Sequence, residues 1–168
     1  MYQVGDRVVY GVHGVCNVVD QEARLVDGKR VTYLALEPVG QEGSRYLVPT
    51  HNAAAMAKVH HMLSKDELEA LLESDTVLAD GWIRDENLRK QTYRILIGSG
   101  DRAKLLQMVR TLYTHRRTQT AAGKRLHLCD DNFLRDAEKL LAGEFAIVLN
   151  IEPEQAKQYL RSKLKEDA

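Results

Sequence analysis

The run Arg24-Leu25-Val26-Asp27-Gly28-Lys29-Arg30-Val31-Thr32-Tyr33 carries a hairpin signal at its centre. Asp27-Gly28 is a dipeptide favoured by the two-residue type I′ turn, whose central residues both take φ > 0. β-Branched side chains on either side predict two strands, Val15 to Arg24 and Arg30 to Glu37. In the second, Val31, Tyr33 and Ala35 alternate with Thr32, Leu34 and Leu36, so both faces have apolar content. Toward the N-terminus, Asp6-Arg7-Val8-Val9-Tyr10 is a further short strand, punctuated by Gly11 and Gly14. Beyond the loop Pro38 to Gly43, a strand from Ser44 to Val48 ends at Pro49, and Ala55 to Val59 is a candidate fifth. Four or five short strands in about sixty residues roll most economically into a small SH3-like or Tudor-like barrel.

The period then changes. Ser64-Lys65-Asp66-Glu67 is a capping box heading a short acidic helix. Asp80-Gly81 breaks the pattern just before Trp82. A helix is expected from Ile83 to Ile97, with Leu88, Thr92, Ile95 and Leu96 on its inner side and Lys90 and Arg94 opposite. After Gly98-Ser99-Gly100-Asp101 a second helix buries Leu105, Met108, Val109 and Leu112, and Arg116 and Arg117 suit its C-terminus. Ala121 to Leu128 reads as a short helix or turn. A third long helix starts near Asp131, with Leu134, Ala137, Leu141, Phe145 and Val148 in register. The last opens at Pro153 and runs to about Lys165. The fold class is therefore α+β: a small N-terminal barrel over 1–60, an acidic helix and connector over 61–81, and an all-helical bundle over 82–168.

Charge is distributed as unevenly as secondary structure. The chain is neutral overall, but from Trp82 to Arg125 eleven Lys/Arg face three acids, a local net of +8. Residues 1–60 balance at six against six. A cationic block in a neutral chain points to a polyanion met by one surface. With 44% hydrophobic and 29% charged residues, the composition is that of a globular protein. No apolar run approaches the roughly 18–20 residues that span a bilayer. The opening six residues lack the basic-then-apolar pattern of a signal peptide. Cys16 and Cys129 stand far apart, as free thiols in a reducing compartment would. The expected location is the cytoplasm.

The opening Val4-Gly5-Asp6-Arg7-Val8-Val9-Tyr10 with His13-Gly14 resembles the start of the CarD/CdnL family of bacterial transcription regulators. The family's N-terminal domain is shared with the transcription-repair coupling factor. The resemblance continues through the Asp27-Gly28 hairpin, the strand ending Val48-Pro49 and the tryptophan before a basic helix. It resumes at Ser99-Gly100-Asp101 and at Ala142-Gly143-Glu144-Phe145-Ala146. It implies a Tudor-like domain that binds the β subunit of RNA polymerase by adding a strand to an exposed sheet edge. The matching positions are Arg24 and Arg45-Tyr46-Leu47-Val48-Pro49; Leu47 stands where the family often has arginine, and Arg45 lies on the same face of the strand. It implies as well that the helical domain meets promoter DNA at the upstream edge of the bubble. There the match of the family's tryptophan, Trp82, wedges into the minor groove at the fork, and Arg84 is its basic neighbour. Arg89, Lys90, Lys124 and Arg125 are the candidate phosphate contacts, with Arg110, Arg116 and Arg117 behind them. Asp85 and Asn87 depart from the basic or neutral-polar helix start common in the family.

Other chemistries find little support. His127-x-Cys129-Asp130-Asp131 has ligand-type residues but no second cluster, and a helix N-terminus explains the aspartates as caps. His60 and His61 are adjacent and point apart in any regular element. No phosphate loop, nucleophile elbow or paired-cysteine zinc motif is present, so neither an enzyme nor a cofactor or metal site is expected. A stand-alone nucleic-acid or chromosome-binding protein is the alternative, but a barrel gripping phosphates should be basic, and residues 1–60 are neutral.

Overall fold

In the computed structural model, which describes residues 1–165, Asp27 and Gly28 take φ of 50° and 75°. Those angles suit a type I′ turn, whose twist matches that of the strands it joins. The strands are β2 (Val15–Val26) and β3 (Lys29–Pro38), antiparallel from Cys16↔Pro38 to Val26↔Lys29. The register shifts between Val18 and Asp20, a bulge that bends β2 and increases its twist. With β1 (Arg7–Tyr10), β4 (Tyr46–Pro49) and β5 (Val59–His61) they form one antiparallel sheet in the order β4-β3-β2-β1-β5. All five strands supply side chains to one core, made of Val8, Cys16, Val18, Leu34, Leu36, Val48 and Val59. A flat sheet could not gather residues from both of its ends, so the sheet is curled. Among the described residues its end strands β4 and β5 are not paired, and closure into a barrel is not observed.

Two local readings are corrected. Ala55 is not in a strand: Ala53–Met56 forms α1, because the Asn52 side chain accepts the Ala55 N–H and three alanines follow it. The fourth strand starts at Tyr46 rather than Ser44, whose N–H closes a turn on the Gln41 carbonyl.

The chain divides into two compact units, Met1–Met62 and Leu63–Ala168. The second contains α2 (Lys65–Leu72), α3 (Asp75–Leu78), α4 (Glu86–Ser99), α5 (Arg102–Ala121), α6 (Leu128–Leu149) and α7 (Pro153–Lys165). The Ser64–Glu67 capping box is formed at the head of α2, as the sequence predicts. Asp85 and Asp101 cap α4 and α5 through the N–H groups of Leu88 and Lys104. The expected stripe of α5 is buried, and so are Leu134, Ala137, Leu141 and Phe145 of α6. No helix among the described residues is long and apolar enough to cross a membrane.

The helix ends differ from expectation where capping decides them. With Asp85 as its N-cap, α4 starts at Glu86, three residues after Ile83. Helix α5 continues to Ala121, so Arg116 and Arg117 lie ahead of its last turn, and of the helix or turn expected after it the turn is formed, at 122–123. Helix α6 starts at Leu128 after His127, so Asp130 and Asp131 are first-turn residues, not caps. The inner side of α4 is also different. Leu88 and Ile95 are 53% and 71% exposed, while Arg89 and Tyr93 are its buried residues.

Candidate functional site

Trp82 lies in the loop between α3 and α4, half-buried against the core of the second unit. Its backbone N–H donates to Asp80 Oδ1 at 3.1 Å, which fixes the turn before the helix. Gly81 passes close to α5: a Cβ there would stand 3.0 Å from Gln107 Cδ and from Thr111 Oγ1, so those side chains would have to give way. The indole is stacked on the imidazole of His115, with centroids 3.7 Å apart and planes 18° from parallel. The Arg89 guanidinium lies over the indole at 4.5 Å, a cation–π contact.

Arg89 is thereby placed differently from the phosphate contact expected of it. It is 3% exposed, and its Nε and Nη2 donate to the two carboxylate oxygens of Asp130 at 2.8 and 2.9 Å. Its Nη1 donates to the Ile83 carbonyl at 3.0 Å. Asp130 is fully buried, and hydrogen bonding to it holds the Arg89 pKa above the usual arginine value. A guanidinium so engaged positions the loop instead of meeting solvent. The other candidates are outside. Arg84, Lys124 and Arg125 are exposed. Lys90 is half-exposed and shares its charge with Glu86 at 3.1 Å. Burial pulls His115 below the usual histidine pKa, with the nearby Arg89 and His127 acting the same way and Asp130 opposing. The ring is therefore neutral at neutral pH.

In the first unit, β4 is an end strand with β3 on one side. The Thr50 N–H donates to the Thr32 carbonyl at 3.0 Å, which continues the ladder of Val48↔Leu34 and Tyr46↔Leu36. By the alternation of an antiparallel pair, Leu47 and Pro49 turn their main-chain groups to the open side. Pro49 has no N–H, and its carbonyl accepts from Asn52 at 3.2 Å. Leu47 is left as the strand's outward donor and acceptor. Arg45 is exposed and pairs with Glu22 at 3.2 Å; Arg24 pairs with the same carboxylate at 2.8 Å. The two arginines that the sequence places 21 residues apart thus stand on one acidic residue. Val48 points inward and is wholly buried, so only its backbone belongs to the edge. Tyr46 stacks on His13 at 3.8 Å, and Tyr10 completes the cluster.

Compared with known protein families, residues 2–60 match the CarD-like/TRCF RID domain and residues 61–161 match the CarD C-terminal domain. The chain belongs to the CarD/CdnL family. CarD-family domains carry RNA polymerase-interacting transcription regulation, and the family is one of regulators rather than enzymes. The second match spans α2 to most of α7, so the CarD C-terminal domain here includes the acidic helix and the segment after Asn150. Asp85 is the N-cap of α4, its side chain accepting the Leu88 N–H. Among the described residues no group of three or more His, Cys, Asp or Glu could hold a metal ion. Sequence reasoning missed Asp130 and His115. Asp130 reads only as a helix-start cap, because periodicity does not mark its partner Arg89 as buried; for His115 the sequence offers no signal.

Proposed function

We propose that this CarD-family chain docks on the β subunit of RNA polymerase through the open side of β4 and stabilises the promoter open complex with Trp82. The β4 edge takes a strand of the partner, Leu47 giving the main-chain bonds and Arg45 and Arg24 selecting an acidic counterpart. Trp82 inserts at the upstream fork of the bubble from the minor-groove side, where unstacking a base step is least expensive. Arg84, Lys124 and Arg125, with Lys90, bind phosphates, which sets position without reading sequence. Tethering through the first domain raises the effective concentration of the second at the fork, so each contact alone can be weak.

The observation that carries this reading is a half-buried indole seated on His115 and Arg89, with the exposed Arg84 two residues on in the same loop. The experiment is the lifetime of the open complex after competitor challenge, with Trp82→Ala beside the parent chain. The variant should capture polymerase as well as the parent and shorten the lifetime. An unchanged lifetime would return Trp82 to the role of a core residue.

A further inference from the structure

Trp82 is held by one residue from each of two helices and, through them, by a third. His115 comes from α5 and Arg89 from α4, and Arg89 is fixed in turn by Asp130 of α6. A tryptophan that served only as a core anchor would have its ring against apolar side chains. This one packs against the core, but its ring also meets an imidazole and a guanidinium, and it stays only half-buried. With His115 at 3.7 Å and nearly parallel, that face of the indole has no space for a base. His115 is itself only half-buried, so the stacked pair reaches solvent together.

We infer that His115 is a positioning residue for Trp82: its ring plane and the Arg89–Asp130 pair hold the indole as a preassembled plate that enters the fork edge-first. This inference rests on the wedge reading above. A tryptophan free to change rotamer would have to be ordered on insertion, whereas a stacked one is ordered beforehand. What His115 supplies is a flat aromatic surface rather than a charge. The groups around it are Arg89 on α4, His127 ahead of α6 and Asp130 on α6. Together with burial, the first two disfavour its protonated form.

Trp82 is the sole tryptophan, so the free full-length chain reports on its own wedge. The test compares His115→Gln, which keeps bulk and polarity without a ring, with His115→Phe, which keeps the ring. Two readouts are used: fluorescence anisotropy with acrylamide quenching of the free chain, and open-complex lifetime on a promoter. His115→Gln should loosen the indole and shorten the lifetime by roughly two- to tenfold, the range for one aromatic pair or one ordered side chain. His115→Phe should restore both. Unchanged anisotropy in His115→Gln overturns the seat. So does a glutamine variant with loosened fluorescence but the parent's lifetime, or a phenylalanine variant that behaves like glutamine. Failure of the wedge itself is distinct: Trp82→Ala would then leave the lifetime unchanged, while the anisotropy of the two His115 variants still decides whether the seat exists.

Discussion

Replacing Asp130 by asparagine keeps the side-chain volume and removes one charge from the centre of the helical unit. The Arg89 guanidinium, 3% exposed, then has the Ile83 carbonyl and a neutral amide in place of a carboxylate bonded through two oxygens. Breaking a buried ion pair by removing one partner destabilises by about 3–5 kcal/mol, because the remaining charge stays buried. A surface pair would lose about 1 kcal/mol or less. Against a total of about 5–15 kcal/mol, the larger figure is a major part of the stability. With a urea slope of about 1–3 kcal/mol/M, it moves the midpoint by roughly 2 M. Trp82 fluorescence follows the helical unit without interference from the first. Arg89→Met with Asp130→Leu, which removes both charges, should recover most of the loss. A loss under about 1 kcal/mol for Asp130→Asn, or a double variant no better than the single, would refute the view that this pair is desolvated.

Other predictions follow from the same structure. Tyr113→Phe removes the 2.8 Å bond to the buried Glu138, leaving that carboxylate to Arg161, and should cost about 1–3 kcal/mol in urea unfolding. Leu47→Pro deletes the outward donor of β4 while sparing its bonds to β3; polymerase capture should fall, with the circular dichroism of the chain preserved. Burial lowers the pKa of both His13 and His115, so below the ordinary histidine value of about 6.5 the unfolded chain binds protons that the folded chain refuses. Stability is therefore full above that value and declines as the pH falls toward the lowered folded values; urea midpoints at about pH 7.5 and 5.5 should show the decline, smaller in His13→Phe. Burial pushes the Cys16 thiol up to about 11, and the side chain is wholly enclosed, so iodoacetamide should label Cys129 first and Cys16 only on unfolding, as mass spectrometry would show.

What could be read from sequence was what local chemistry dictates. Asp27-Gly28 specifies its turn because two consecutive residues need φ > 0, and Ser64 with Glu67 specifies a helix start by reciprocal bonding. The stripes of α5 and α6 were legible because most of their inward residues are apolar, although Thr111, Asp130, Glu138 and Glu144 are buried among them. Helix α4 defeated the same method. One of its two buried positions is an arginine, whose partner lies 41 residues away, and a periodicity argument assigns such a residue to solvent. The misplacement of Arg89 among the phosphate contacts has the same source. The seat of Trp82 is likewise non-local, since nothing near position 82 announces a ring at 115. The helix at Ala53–Met56, by contrast, carried a readable signal in Asn52 and the alanines behind it.

Pro49 has an effect on behaviour at high concentration. An open strand edge invites copies of the same chain to zip together, and long exposed edges are the usual starting points of aggregates. Two copies meeting antiparallel about Leu47 would set Arg45 of each against Pro49 of the other, which has no N–H to give and whose carbonyl is already engaged. The mutual ladder on β4 would stop after the Leu47 pair. A single proline thus keeps the open edge of β4 from becoming a self-polymerising one.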